Sequence, residues 1–284
     1  EPNQNILVDK LATNKTLALF NNLRSISASK VLFGHQETTA YGIGWVNEGG
    51  KNRSDVKSVC GDFPAIYGWD LGDIGQEKNL DGVPFNQIKV LIKDAYGRGG
   101  VNTISFHQDN PVSGGHSWDT TRAVPHLLPG GSNHVDYTER LDLVAEFLKD
   151  LKADDGSFIP VIFRPYHEHN GDWFWWGKGP SNEEDFIALW QFTVNYLKNK
   201  KNVHNLLYAF SPDRSRIKDA ANPREYLYGY PGDDYVDIIG VDNYFDVGSH
   251  WNKKPLKDQS VSFVNSLEVV VQLAEQRGKI AALT

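Results

Sequence analysis

The stretch that decides the fold is Phe158-Ile159-Pro160-Val161-Ile162-Phe163-Arg164-Pro165-Tyr166-His167-Glu168-His169-Asn170-Gly171-Asp172-Trp173-Phe174-Trp175-Trp176-Gly177. Residues 158–164 read as a short, β-rich apolar strand. Directly after it come a carboxylic acid between two histidines and a run of aromatic rings. The same succession recurs along the chain. Apolar runs at 31–33, 65–69, 101–106, 206–210, 236–241 and 279–284 also read as strands, and several end in polar or aromatic residues: Trp69 and Asp70, His107 to Asn110, Ser211 to Arg214, and Asp242 to Tyr244.

Helical periodicity fills most of the intervals. Ile88, Leu91, Ile92, Ala95 and Tyr96 share one helical face, with Gly99 and Gly100 placed to supply a left-handed stop. Asp136 with Glu139, and Ser181 with Glu184, have the spacing of capping boxes ahead of further apolar stripes. Another stripe, Phe263, Leu267, Val270 and Ala274, runs to Gly278. Strands alternating with helices over this length fit an α/β fold, either a (β/α)8 TIM barrel or an open doubly wound sheet. No glycine-rich phosphate loop follows a strand, and in a barrel the polar strand ends converge on one face. The expectation is a (β/α)8 barrel forming one catalytic domain over residues 1–284. Only seven strand candidates are found: either one has been missed, or the eighth is missing from the chain and the domain is truncated at its C-terminal end.

Composition narrows the partners. A formal charge of -7, with no basic stripe, argues against nucleic acid. The apolar runs are strand-sized, far below the roughly 20 residues of a membrane span, so a soluble protein is expected. Cys60 is the single cysteine, which excludes an internal disulfide and a thiolate metal cluster. No basic segment followed by an apolar run opens the chain, which suits either a cytosolic protein or a mature exported one.

The stretch after residue 164 carries the chemistry. Sugars offer flat C–H faces to aromatic rings and hydroxyls to polar groups, so indoles mixed with carboxylates and imidazoles suit a carbohydrate site. A carboxyl crowded by indoles is partly desolvated, which raises its pKa toward that of a general acid. Glu168 is placed for that role. Two plainer readings stand beside it: the aromatic run as a core plug with some rings facing the cleft, and Glu168 as the ion-pair partner of Arg164. His107, His167 and His169 lack the i, i+4 spacing of helical metal ligands, and hydrogen bonding to sugar hydroxyls or to a carboxylate is the expected role. No G-x-S-x-G elbow is present for a serine nucleophile.

Arg164-Pro165 leading to His167-Glu168, the Trp173 cluster, Val241-Asp242-Asn243-Tyr244 and Phe106-His107-Gln108-Asp109-Asn110-Pro111 together resemble the family 26 β-mannanases. The resemblance runs from Val31 to Thr284. It implies a (β/α)8 fold and hydrolysis of β-1,4-mannosidic bonds with retention of configuration, by two glutamates and without a cofactor or metal. It implies Glu168 as acid/base at the end of the fourth strand, His167 beside it, and Trp173 as a sugar-stacking residue. Tyr244 matches the tyrosine that orients the nucleophile, and Asp242 a position near it. His107 and Trp118 match residues of the glycone side. The nucleophile is expected at the end of the seventh strand, immediately beyond Thr284. The implied partner is a polysaccharide or oligosaccharide, the implied location is outside the cytoplasm after removal of a signal peptide, and a monomer is expected. A glucanase or xylanase relative, a non-catalytic sugar-binding barrel and a metal-dependent hydrolase remain as alternatives. The segment 110–136 is expected to form a long rim loop.

Overall fold

Alternating apolar residues in the strands require two buried faces, and the fold provides them. The structure, a computed structural model, describes residues 6–50 and 53–284; the polar opening at residues 1–5 lies outside them. Seven parallel strands form one sheet in chain order: β1 (Gly34–Gln36), β2 (Ile66–Asp70), β3 (Val101–Phe106), β4 (Val161–Pro165), β5 (Leu206–Phe210), β6 (Ile238–Val241) and β7 (Ile280–Leu283). The main helices are α1 (Asn14–Ser27), α2 (Phe85–Gly97), α3 (His134–Asp150), α4 (Glu183–Asn195) and α5 (Leu256–Arg277). This is the alternation of a (β/α)8 barrel, seven strands of which are among the described residues. No helix among those residues is long and apolar enough to cross a membrane.

The two faces can be followed residue by residue. Val161 and Phe163 of β4, Leu206, Tyr208 and Phe210 of β5, and Ile239 and Val241 of β6 join the core that also holds Leu141 and Leu148 of α3 and Leu189 and Trp190 of α4. The residues between them, Ile162, Leu207, Ala209 and Ile238, share a second core with Leu17, Phe20 and Leu23 of α1 and Ile280 of β7. Successive side chains point to opposite faces, so one strand sequence serves both cores.

Local expectations shift at several ends. The first strand lies three residues later than the apolar run 31–33. The Phe33 carbonyl receives the amides of Ala65 and Ile66, and the ladder starts with Gly34 opposite Ile66. Val31 is 97% exposed and Phe33 62%, so that run precedes the sheet. The strand expected at 158–164 begins at Val161, after Pro160, which has no N–H to give a ladder. The helix expected to be capped by Ser181 is capped by Asn182, whose side chain accepts from the Asp185 amide at 2.7 Å. Asp136 lies inside the first turn of α3 and is not its cap; Asn133 precedes that helix without a side-chain capping bond. The glycine stops hold: Gly99 has φ +84° and Gly278, the C-cap of α5, φ +67°.

Candidate active site

Strand β4 ends in Pro165, and the chain then turns sharply, with Tyr166 and Glu168 both in the left-handed region at φ +49° and +55°. Each such residue costs about 1–2 kcal/mol, so the surroundings must hold it there. Tyr166 is anchored below the site by its hydroxyl to Thr193 at 2.9 Å and to Tyr137. The Glu168 amide donates to the Ser211 carbonyl beyond β5 at 2.8 Å. Asn170 and Asp213 bond reciprocally, side-chain amide to carbonyl at 2.8 Å and amide to side chain at 2.7 Å. The loop after β4 is thereby sewn to the loop after β5.

The aromatic run divides. Phe174, Trp175 and Trp176 are buried, so the core-plug reading holds for three of the four rings. Their indole N–H groups are satisfied by the carbonyls of Gln108, at 2.8 Å from Trp175, and His167, at 2.9 Å from Trp176. Trp173 is the exception: its Nε1–H donates to Glu168 Oε2 at 2.9 Å. Gly171 makes room for it, since a Cβ there would lie 2.5 Å from the Trp173 ring.

Burial, followed by the negative charges of Asp242 and Asp213, pushes the Glu168 carboxyl up to about 8; the Trp173 bond works in the opposite sense. A carboxyl with that pKa carries a proton near neutrality and can give it up. Arg164 is not its partner. The guanidinium turns to Asp242, with Nη1 at 3.2 and 3.1 Å from the two carboxylate oxygens, and also donates to Ser211 at 3.0 Å. Thr284, after β7, donates its hydroxyl to Asp242 as well. Strands β4, β5, β6 and β7 thus meet around one aspartate.

On the other side of Glu168 lie the histidines. His107 Nδ1 is 2.7 Å from Asp70 Oδ2, and its Nε2 is 3.1 Å from Nε2 of His167. Trp118 stacks on His107 with ring centroids 5.3 Å apart and an 18° tilt, leaving the indole 47% exposed. The rim loop that carries Trp118 is clamped by Asn110, whose side chain bonds the carbonyls of Asp119 and Thr121 and the amides of Val112 and Ser113. His169 points away: its Nε2 meets the Tyr228 carbonyl at 2.7 Å and its ring stacks on Phe186. The three histidines therefore do not converge.

Of the residues expected from sequence, Glu168 and Trp173 form one pair and His107, His167 and Trp118 one group, joined through the ring of Phe174, and Asp242 flanks Glu168. Tyr244 stands on the rim, 71% exposed. Asp70 and Asp213 were legible as polar residues after strands, but their partners were not. Glu37, fully buried after β1, was missed: Asn79 donates to its Oε1 at 3.2 Å, and burial and the charges of Asp81 and Asp70 push it up to about 8.

Comparison with known proteins agrees with this layout. A sequence profile described as "Glycosyl hydrolase family 26" matches residues 8–283. A mannan endo-1,4-beta-mannosidase from Bifidobacterium adolescentis is 38% identical over 287 residues, covering 97% of this chain and 27% of that protein. The chain thus spans about a quarter of that relative's length. Among solved structures, a GH26 beta-mannanase from Bacteroides ovatus superposes with a TM-score of 0.86 at 40% identity, covering 96% of this chain and 76% of that one. A modular endo-beta-1,4-mannanase from Cellulomonas fimi does so at 0.88 and 37%, covering 98% and 61%. With the profile spanning nearly every residue and the site lying where β4 delivers it, the chain belongs to glycosyl hydrolase family 26.

Proposed function

We propose that the protein hydrolyses β-1,4-mannosidic bonds in mannan, galactomannan or glucomannan with retention of configuration. The observation that carries the reading is Glu168, a carboxyl raised to about 8 and held by the indole of Trp173 at 2.9 Å. Likeness to proteins named as mannanases supports the choice of sugar.

In this reading Glu168 protonates the leaving glycosidic oxygen and then, as a carboxylate, takes a proton from the water that releases the product. Trp173 stacks on the sugar while fixing the acid. His107, Trp118 and His167 hold the glycone side. The attacking carboxylate belongs at the end of β7, beside Thr284, about 5 to 5.5 Å from the acid. Asp242 does not suit that part: Arg164 and Thr284 occupy its oxygens. Its role is to place charge beside the nucleophile, which Tyr244 orients. The substrate is an external polysaccharide, consistent with an exported protein.

The test is release of reducing sugar from β-mannan by the purified protein, with mixed-linkage β-glucan and laminarin alongside, for wild type and Glu168→Ala. Proton NMR of the first product gives the anomer. Cleavage of mannan to the β-anomer, lost in the variant, is expected; preference for a glucan would overturn the substrate, and an α-anomer the mechanism.

A further inference from the structure

Asp70 at the end of β2 is buried and accepts four hydrogen bonds. Its Oδ1 receives the amides of Gly72 at 2.6 Å and His107 at 3.2 Å. Its Oδ2 receives the Ser105 hydroxyl at 2.6 Å and faces His107 Nδ1 at 2.7 Å. An ionised carboxylate in that setting only accepts, so His107 keeps a proton on Nδ1 and donates it as a hydrogen bond to Asp70.

The opposite nitrogen of His107 lies 3.1 Å from His167 Nε2, and one proton must sit between them. Burial, with the charge of Arg164, holds His167 neutral, so it has a single ring proton. Were that proton on Nδ1, it would be a buried N–H without an acceptor, since His167 Nδ1 has no hydrogen-bond partner among the described residues. An orphaned buried N–H is rarer and costlier than an orphaned lone pair. The proton therefore belongs on His167 Nε2, donated to a lone pair on His107 Nε2.

We infer that Asp70 is a positioning residue which, through the chain Asp70–His107–His167, fixes the proton positions of both site histidines. The catalytic consequence rests on the mannanase reading; the proton positions do not.

The geometry also says what Asp70→Asn does. The amide oxygen can keep the two backbone donors at Oδ1, and Ser105 can accept from the new NH₂ while donating to the Trp69 carbonyl, now 3.1 Å away. The NH₂ group faces His107 Nδ1, which must become a lone pair. The His107 proton moves to Nε2 and meets the His167 N–H, which is forced to move its own proton to the partnerless Nδ1.

Ring ¹⁵N NMR on uniformly labelled full chain reads this directly, with signals assigned by their loss in His107→Gln and His167→Gln. The wild type is expected to show His107 protonated at Nδ1 and His167 at Nε2, and Asp70→Asn to show His107 protonated at Nε2. Turnover of mannooligosaccharides by Asp70→Asn should fall about tenfold or more, the size typical of losing a partner that orients a histidine. Ser105→Ala, which removes a different donor to Asp70, should leave the His107 signature unchanged. Wild-type His107 protonated at Nε2 would overturn the inference even if Asp70→Asn failed to fold. So would an unchanged tautomer in Asp70→Asn, or full turnover with the tautomer reversed. Expected tautomers in a wild type that cleaves no mannan would uphold the proton positions and overturn the substrate reading.

Discussion

The indole Nε1–H of Trp173 donates to Oε2 of Glu168 at 2.9 Å, and it is the one ring of the four-residue aromatic run left partly exposed. It favours the ionised carboxyl, against burial and two neighbouring negative charges. The acid's pKa is thus a balance in which Trp173 pulls downward.

Trp173→Phe removes that pull and leaves an apolar ring. The Glu168 pKa should rise by about one unit, as expected for losing a hydrogen bond to a charged group. The alkaline limb of kcat/KM, where the proton is lost, should move to higher pH. A limb that stays in place or moves to lower pH would show that the bond does not set the acid.

Glu168→Gln keeps the shape and loses the transferable proton. Turnover of mannooligosaccharides should fall by about 10²–10⁴-fold. With aryl mannosides whose leaving phenolate needs no protonation, the first step should suffer far less, and hydrolysis of the glycosyl-enzyme, now without its general base, should become limiting. Equal losses on both substrate types would remove Glu168 from the acid role.

Gly171→Ala would place a Cβ 2.5 Å from the Trp173 ring and push the indole off the acid. A displacement of about 1 Å in a positioning group can cost about 10²-fold in rate. The expected pattern is a fall in kcat with a Tm close to wild type, accompanied by the alkaline shift of Trp173→Phe. Unaltered kinetics would mean that the ring relaxes without consequence.

Glu37→Gln probes stability alone. Glu37 is raised from 4.5 to about 8, so its contribution to folding is complete below about 4.5 and is lost as pH rises toward 8. Between those values the unfolded state releases a proton that the folded state keeps, which costs about 1.4 kcal/mol per pH unit for one group. Urea unfolding at pH 5 and pH 8 should show the variant gaining on wild type at the higher pH. Parallel curves for the two proteins would contradict a protonated Glu37.

Much of this was readable from residue order. Strands such as 101–106 and 206–210 are apolar, bounded and followed by polar residues, so period and position agree. The first strand was displaced because Val31 and Phe33 are apolar yet exposed, while Gly34–Gln36 pairs through its backbone and has no side-chain signature. The plainer reading of Glu168, as an ion-pair partner of Arg164, rested on the two being close in sequence. The real partner of Arg164, Asp242, lies 78 residues away and is brought near by the sheet. The same holds for Asp70 and His107, each visible after a strand, whose bond exists only because β2 and β3 are neighbours. The aromatic run was ambiguous one ring at a time, since only packing tells which indole is left over.

The left-handed backbone of Glu168 has a consequence for how this chain can change. An asparagine adopts that conformation with less strain than a glutamate, and it brings no carboxyl into a buried, negatively charged setting. Folding by itself therefore favours replacing the residue on which the proposed chemistry depends. A population screened only for soluble expression or heat resistance should drift toward inert variants at position 168, and a thermostability campaign on this barrel would have to score turnover in every round to keep it alive.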